Sequence, residues 1–377
     1  MPEFNSIESA IDPNNRISFL LDWELTMKCN LNCSYCPTGI YGGHDNSTNH
    51  PPVDQCVETI DFMYRYADLY MQHKPPGIQY VMLNVYGGES LHHPDIVKIL
   101  QQVHEQYQPY QDRWSLTVTT TTNAIVNSKK LKSILPYIDE FTVSYHAENN
   151  HKQKQQFKEN ILTISQSGKR LKCIVMMHTD AELFADCKQM IEWLTQNNIK
   201  FLAKQIDSQQ LDVSVYDQKQ IHWFNSFYKN KTYQTVDTIE TTQDQVDLSD
   251  TGRACCGGRQ LCLDQNYSKR NYYILDNKFS DWYCSVNWFF LHIKQVNGEI
   301  YVNKDCKMNF NGETGPIGHL NSSDKLLTML SDQLATNSVP IIQCKKTKCH
   351  CGLCAPKAKD LDTYKQINAK YQSNYQS

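Results

Sequence analysis

The sequence predicts an α/β chain in which a partial (β/α)6 barrel of the TIM type is followed by a smaller, cysteine-rich α+β region. Three observations carry this. Over the first 206 residues, short β-rich runs alternate with longer helical patterns. The alternation stops there, and 207–253 is rich in Gln, Asp and Thr. Beyond it the composition shifts again: nine of the 15 cysteines lie between Cys255 and Cys354. The simplest division is a barrel over 1–206, a bridging region over 207–253 and a cysteine-rich domain over 254–377.

The strand runs are Ile17 to Leu25, Gln79 to Val85, Ser115 to Thr121, Glu140 to His146, Leu171 to His178 and Phe201 to Ile206. Each is rich in β-branched or aromatic residues and is bounded by polar or turn residues. Between them, Val53 to Tyr70, Pro94 to Tyr107, Ser128 to Leu135, Lys152 to Ser167 and Ala181 to Gln196 carry helical periodicity. Strands separated by helices pair in parallel through right-handed crossovers. Eight such units close a full barrel, so six make a partial barrel or an open sheet. In the bridging region Trp223, Phe224, Phe227 and Tyr228 recur at helical spacing, which reads as local packing.

Composition narrows the function. With 377 residues the chain has room for two to three domains, and 40% hydrophobic residues supply a core. Lys plus Arg number 37 against 40 Asp plus Glu, a net charge of −3, which argues against stable binding to nucleic acid. No apolar stretch approaches the ~18 residues a membrane span needs. The opening Met-Pro-Glu-Phe-Asn-Ser has neither the basic nor the apolar part of an export signal. The expectation is a soluble cytoplasmic protein, where thiols stay reduced and clustered cysteines mean metal.

The first cluster follows the first strand: Cys29-Asn-Leu-Asn-Cys33-Ser-Tyr-Cys36. Three thiolates in one loop can hold three irons of a [4Fe–4S] cluster and leave the fourth iron open. The alternative is zinc, which needs a fourth ligand such as His44 or His50. The second strand ends in Gly87-Gly88-Glu89, at the end where α/β folds place their sites. Glycines there admit a ligand close to the backbone, and Glu89 can accept from an ammonium group.

The triad, with an aromatic residue before its last cysteine, together with Gly87-Gly88-Glu89 resembles the radical S-adenosylmethionine (SAM) superfamily over roughly the first half of the chain. The resemblance implies that Cys29, Cys33 and Cys36 ligate the catalytic [4Fe–4S] cluster and that its open iron takes SAM. It implies that Tyr35 packs near the adenine and that Gly87, Gly88 and Glu89 hold the methionine ammonium. By position, Thr121, Thr122 and Asn123 after the third strand, Ser144 and His146 after the fourth, and Met177 or His178 after the fifth face the cofactor. The implied chemistry is reductive cleavage of SAM to a 5′-deoxyadenosyl radical that abstracts hydrogen from a substrate.

The later cysteines are Cys255, Cys256 and Cys262, then Cys284 and Cys306 singly, then Cys344, Cys349, Cys351 and Cys354. The terminal four are sufficient for one closed metal site. Within a radical SAM protein this tail looks like the SPASM or twitch extensions, which carry one or two auxiliary [4Fe–4S] clusters. Supporting residues are Cys284, Asn297-Gly298-Glu299-Ile300-Tyr301 and Gly315-Pro-Ile-Gly318. The pattern departs at Asn303, where relatives carry a cysteine, and in the terminal spacing. Two clusters, or one cluster with zinc or thiols, both stay open.

Such relatives mostly modify ribosomally made peptides, so a peptide or protein is the first expected substrate. The other expected substrate is a nucleotide, sugar or other small molecule. Only 16 residues precede the first strand, and no leader-binding domain is apparent among them, which adds weight to it. An iron–sulfur electron carrier is the third reading; Gly87-Gly88-Glu89 argues against it, since a carrier needs no SAM site. A flavodoxin- or ferredoxin-type protein is the expected electron donor. Lys345, Lys346 and Lys348 read as a solvated charged loop, and Cys56, Cys173 and Cys187 as core thiols.

Overall fold

The computed structural model describes residues 6–7, 19–36, 45–73, 80–206, 216–227, 279–284, 286–303, 306, 308–336, 338–345 and 357–366. Strands and helices alternate as β1 (Phe19–Thr26), α1 (Val53–His73), β2 (Tyr80–Gly87), α2 (Ile96–Tyr107), β3 (Ser115–Thr122), α3 (Ser128–Ile134), β4 (Glu140–His146), α4 (His151–Gln166), β5 (Arg170–Met177), α5 (Ala181–Gln196) and β6 (Phe201–Gln205). Each strand pairs in parallel with the next one in sequence. That sequential order winds all crossovers the same way, as a barrel does; a doubly wound sheet reverses direction at its middle. The strands and helices predicted over 1–206 are therefore present, in an open barrel.

Strand parity sorts the side chains into two faces. Leu21, Trp23 and Leu25 of β1 and Val81, Leu83 and Val85 of β2 are buried on the helix side, in one core with Ile60, Met63 and Ala67 of α1. Cys56, Cys173 and Cys187 belong to this core, as their sequence surroundings predict. Helix starts are fixed by side-chain caps: Asn150 and Gln153 form a reciprocal capping box on α4, and Asp180 accepts from Glu182 and Leu183 at the start of α5. Residues 218–227 are helical, and Phe224 packs edge-on against Phe184 of α5. The aromatic patch is packing, as expected, except for Tyr228, which lies outside the described residues.

The concave face is polar. Asp22, Asn84 and Thr119 stand in register on β1, β2 and β3. Asn84 Nδ2 donates to Asp22 Oδ1 (2.8 Å), and Thr119 Oγ1 donates to Asn84 Oδ1 (3.2 Å). A closed barrel is filled by bulky apolar side chains at these layers. Here the interior is built to meet polar groups.

The described tail residues add β7 (Tyr283–Cys284), β8 (Phe290–Lys294), β9 (Glu299–Tyr301), β10 (Gly318–His319), α6 (Ser323–Ala335), β11 (Ile342–Gln343) and β12 (Lys357–Ala358). β8 pairs in parallel with β1, so the barrel sheet continues past its first strand. The hairpin β8–β9 turns at Gly298, whose φ of +71° favours glycine. His292 of β8 is fully buried beside Tyr86 of β2, with ring nitrogen and phenol 3.2 Å apart. A second, small sheet orders the two-residue strand Ser6–Ile7, then β12, β7 and β11.

Candidate active site

The site forms where β1 and β2 end. Their pairing continues past the strands: Gly88 N donates to Thr26 O (2.7 Å), and Glu89 N donates to Lys28 O (2.8 Å). The Gly-Gly-Glu turn is thereby stitched to the residues that lead into the cysteine loop. Only glycine fits this approach. A Cβ on Gly87, whose φ is +152°, would stand 2.0 Å from Thr26 O. On Gly88 it would stand 2.4 Å from Met27 O and 2.6 Å from Lys28 O.

Glu89 is buried and turned inward. Its carboxylate accepts from Leu91 N (3.0 Å), Thr122 Oγ1 (2.8 Å) and Asn123 N (2.6 Å). Burial raises its pKa, and these donors oppose that rise. Glu89 thus fastens the turn to the end of β3. Asn123 carries the connection onward: its Nδ2 donates to Asn30 Oδ1 (2.7 Å) and lies 3.8 Å from Cys29 Sγ. Asn30 in turn donates to Ile125 O (2.8 Å). Cys29 N donates to Asn46 Oδ1 (2.9 Å), and Leu31 N reaches Cys29 Sγ at 3.4 Å.

The far end of the loop is held by β4 and β5. Glu148 accepts from Ser34 N (2.8 Å) and from the Ser34 hydroxyl. His178 takes Asp180 N on its Nδ1 (2.9 Å), which leaves Nε2 to donate to Glu148 Oε1 (3.1 Å). Tyr35 is 4% exposed, with its hydroxyl 2.6 Å from His146 Nδ1. Its ring lies parallel to His146 and edge-on to His178.

Burial lowers His146 to about 4, so the ring is neutral near pH 7. Burial pushes the Cys29 thiol up to about 11 and, with Glu148 and the other two cysteines beside it, the Cys33 thiol up to about 12. A bound cation opposes both effects.

These contacts bring Cys29, Cys33, Cys36, Tyr35, Gly87, Gly88, Glu89, Asn123 and His146 into one neighbourhood. Thr121 and Ser144 lie half-buried on the concave side of β3 and β4. Met177 is a correction: parity places it with Cys173 and Val175 in the helix-side core, turned away from the cofactor face. Its alternative, His178, reaches the loop through Glu148. His50 stands 3.0 Å from Thr26 Oγ1 and packs against the His93 ring; His44 lies outside the described residues. Glu148, Asn30 and Asn46 were missed, because each is a loop residue whose partners are distant in sequence and which carries no periodic signal.

In the tail, Cys284, Cys306 and Cys344 are buried and line one cavity with Lys357. Cys255, Cys256, Cys262, Cys349, Cys351 and Cys354 lie outside the described residues, as do Lys346 and Lys348. Lys345 donates to Asp281 (3.0 Å). Among the described residues no three Cys, His, Asp or Glu side chains stand at closed metal-ligating spacing. The thiols share a loop and a cavity, which is the right donor chemistry for iron–sulfur ligation. No described helix is long and apolar enough to cross a membrane.

Glu148 yields a pH prediction. Burial raises its pKa, but the Ser34 and His178 hydrogen bonds outweigh this and hold it below the usual carboxylate value. A depressed folded pKa stabilises above the unfolded value and ceases to do so as pH falls through the folded one. Wild type is therefore expected to melt above Glu148→Gln at pH 7, with the gap closing in acid. Thermal melts at several pH values check this; a pH-independent gap contradicts it.

No protein-family model matches the chain, and no curated relative matches it. Among solved structures it is similar to native anSMEcpe with bound AdoMet and Cp18Cys peptide, at 12% identity over 96% of this chain and 97% of that one, with a TM-score of 0.48. It is similar to native anSMEcpe with bound AdoMet at 11% identity, 84% and 82% coverage and a TM-score of 0.47. It is also similar to BtrN in complex with AdoMet and 2-DOIA, at 13% identity, 86% and 87% coverage and a TM-score of 0.36.

Proposed function

We propose that this chain is a radical SAM enzyme. The observation that carries the reading is the stitching of a three-thiol loop to a Gly-Gly-Glu turn at the C-terminal end of a singly wound open barrel. Cys29, Cys33 and Cys36 would hold a [4Fe–4S] cluster, and the turn carbonyls of Gly87 and Gly88 would take the SAM ammonium. When bound, cluster and SAM supply a 5′-deoxyadenosyl radical that removes a hydrogen atom from the substrate.

The chain's own residues do the positioning. Asn123 and Asn46 fix the Cys29 end of the loop, and Glu148 with His178 fixes Ser34. Tyr35 and His146 offer a parallel pair of rings beside which adenine would pack. Glu89 acts as a tie between the turn and β3.

The substrate would lie against the concave row of Asp22, Asn84 and Thr119. A peptide or protein side chain is the first reading, in line with the SPASM-like tail. A nucleotide, sugar or other small polar molecule is the second, and the part-buried polar row favours it. Cys284, Cys306 and Cys344 would contribute to an auxiliary cluster, and a flavodoxin- or ferredoxin-type protein would supply electrons. The reading is tested by anaerobic reconstitution with iron and sulfide, followed by dithionite and SAM. Release of 5′-deoxyadenosine is the expected outcome. A chain that binds iron and releases none is an electron carrier instead.

A further inference from the structure

Asn160 is out of place in its helix. It lies inside α4, 1% exposed, on the buried face it shares with Phe157, Ile161 and Ile164. Asparagine is a poor residue for a helix interior, and burying its amide is costly unless hydrogen bonds meet it. For packing alone a leucine would serve better. The amide instead serves one loop: Asn160 Nδ2 donates to Ala124 O (2.7 Å) and to Val126 O (2.8 Å).

That loop, after β3, holds a conformation its sequence resists. Ala124 is buried with a φ of +54°, in the left-handed region that a residue with a Cβ avoids. Successive carbonyls point to different partners. Those of Ala124 and Val126 face α4, where Gln156 Nε2 also donates to Val126 O (2.9 Å). That of Ile125 accepts from Asn30 (2.8 Å). At the start of the loop, Asn123 gives its N–H to Glu89, and its Nδ2, 3.8 Å from Cys29 Sγ, donates to Asn30. The loop is thus held by α4 on one side and by the cysteine loop and Glu89 on the other.

We propose that Asn160 is a positioning residue for the SAM site, holding the left-handed turn at Ala124 so that Asn123 reaches Glu89 and the Cys29 end of the cysteine loop. It acts from the helix layer through two links, the turn and then Asn123. The consequence for SAM rests on the radical SAM reading above; the clamp itself stands on these contacts alone. With glycine at 124 the turn would be intrinsically accessible, so the need for a clamp follows from the alanine.

The test follows amide exchange by mass spectrometry on the full chain, before and after anaerobic reconstitution. Wild type is compared with Asn160→Leu and with Asn160→Leu carrying Ala124→Gly. Asn160→Leu should speed exchange about tenfold in 122–126 and in 29–34, since buried carbonyls lose their donor, and leave β5 unchanged. Its release of 5′-deoxyadenosine should fall about tenfold, because small displacements near reacting groups are costly. Adding Ala124→Gly should bring both readings back to within about threefold of wild type, because glycine accepts this turn without strain. A residue that only supports the fold would speed exchange throughout and gain nothing from the glycine; either result overturns the proposal. So does faster exchange confined to 122–126, with 29–34 and 5′-deoxyadenosine as in wild type. If Asn160→Leu does not fold, Gln156→Leu with and without Ala124→Gly replaces it. The same pattern then supports the clamp, and wild-type exchange at 122–126 overturns it. A wild type that releases no 5′-deoxyadenosine defeats the radical SAM reading, and exchange then judges the clamp by itself.

Discussion

Gly88→Ala is expected to abolish SAM cleavage and to strip iron from the N-terminal site. The new methyl would meet two backbone carbonyls, Met27 O at 2.4 Å and Lys28 O at 2.6 Å, and no rotamer change moves a carbonyl. Overpacking in well-packed sites costs ~1–3 kcal/mol even where side chains can yield; here the backbone itself must separate. Separation breaks the Gly88 N–Thr26 O and Glu89 N–Lys28 O bonds, the ties between turn and cysteine loop. A fall in Tm of several degrees should accompany the loss. Gly315→Ala is the control, since its Cβ would meet nothing nearer than Asn309 Nδ2 at 3.7 Å. Iron analysis and 5′-deoxyadenosine release measure the effect; a Gly88→Ala protein with wild-type values for both would refute the close-approach argument.

Removing the triad is the second large effect. Cys29→Ala, Cys33→Ala and Cys36→Ala together should lower iron by one [4Fe–4S] cluster, about four irons per chain, and reduce 5′-deoxyadenosine to background. Fold should persist, because the three side chains are half-exposed and outside the main core. Cys344→Ala should behave in the opposite way, losing tail iron while the chain still cleaves SAM when chemically reduced. If the triple variant keeps its full iron, the triad is not the ligand set.

Much of the barrel was legible because parallel strands and their helices write their periodicity into sequence. The triad and the Gly-Gly-Glu turn were legible for a different reason, since glycine and clustered cysteine have few bland uses. Other parts of the site depend on closure in three dimensions. Glu148 lies 114 residues from Ser34, and nothing local marks either as a partner. Lys357 is 73 residues from Cys284, and only the pairing of two short strands brings them together. Met177 was misplaced by one step of parity, the difference between the concave and the helix-facing side of β5. The three protein donors that Glu89 accepts from, on the turn and at the end of β3, were likewise not marked by its place after two glycines.

The proposed reductive cleavage of SAM at the three-thiol loop is open to one direct measurement. Anaerobically reconstituted protein, mixed with SAM and dithionite, is assayed for 5′-deoxyadenosine by chromatography beside the Cys29/Cys33/Cys36 variant. Wild type is expected to release 5′-deoxyadenosine and methionine in equal amounts, and the variant neither. Iron-loaded wild type that forms no 5′-deoxyadenosine would contradict it.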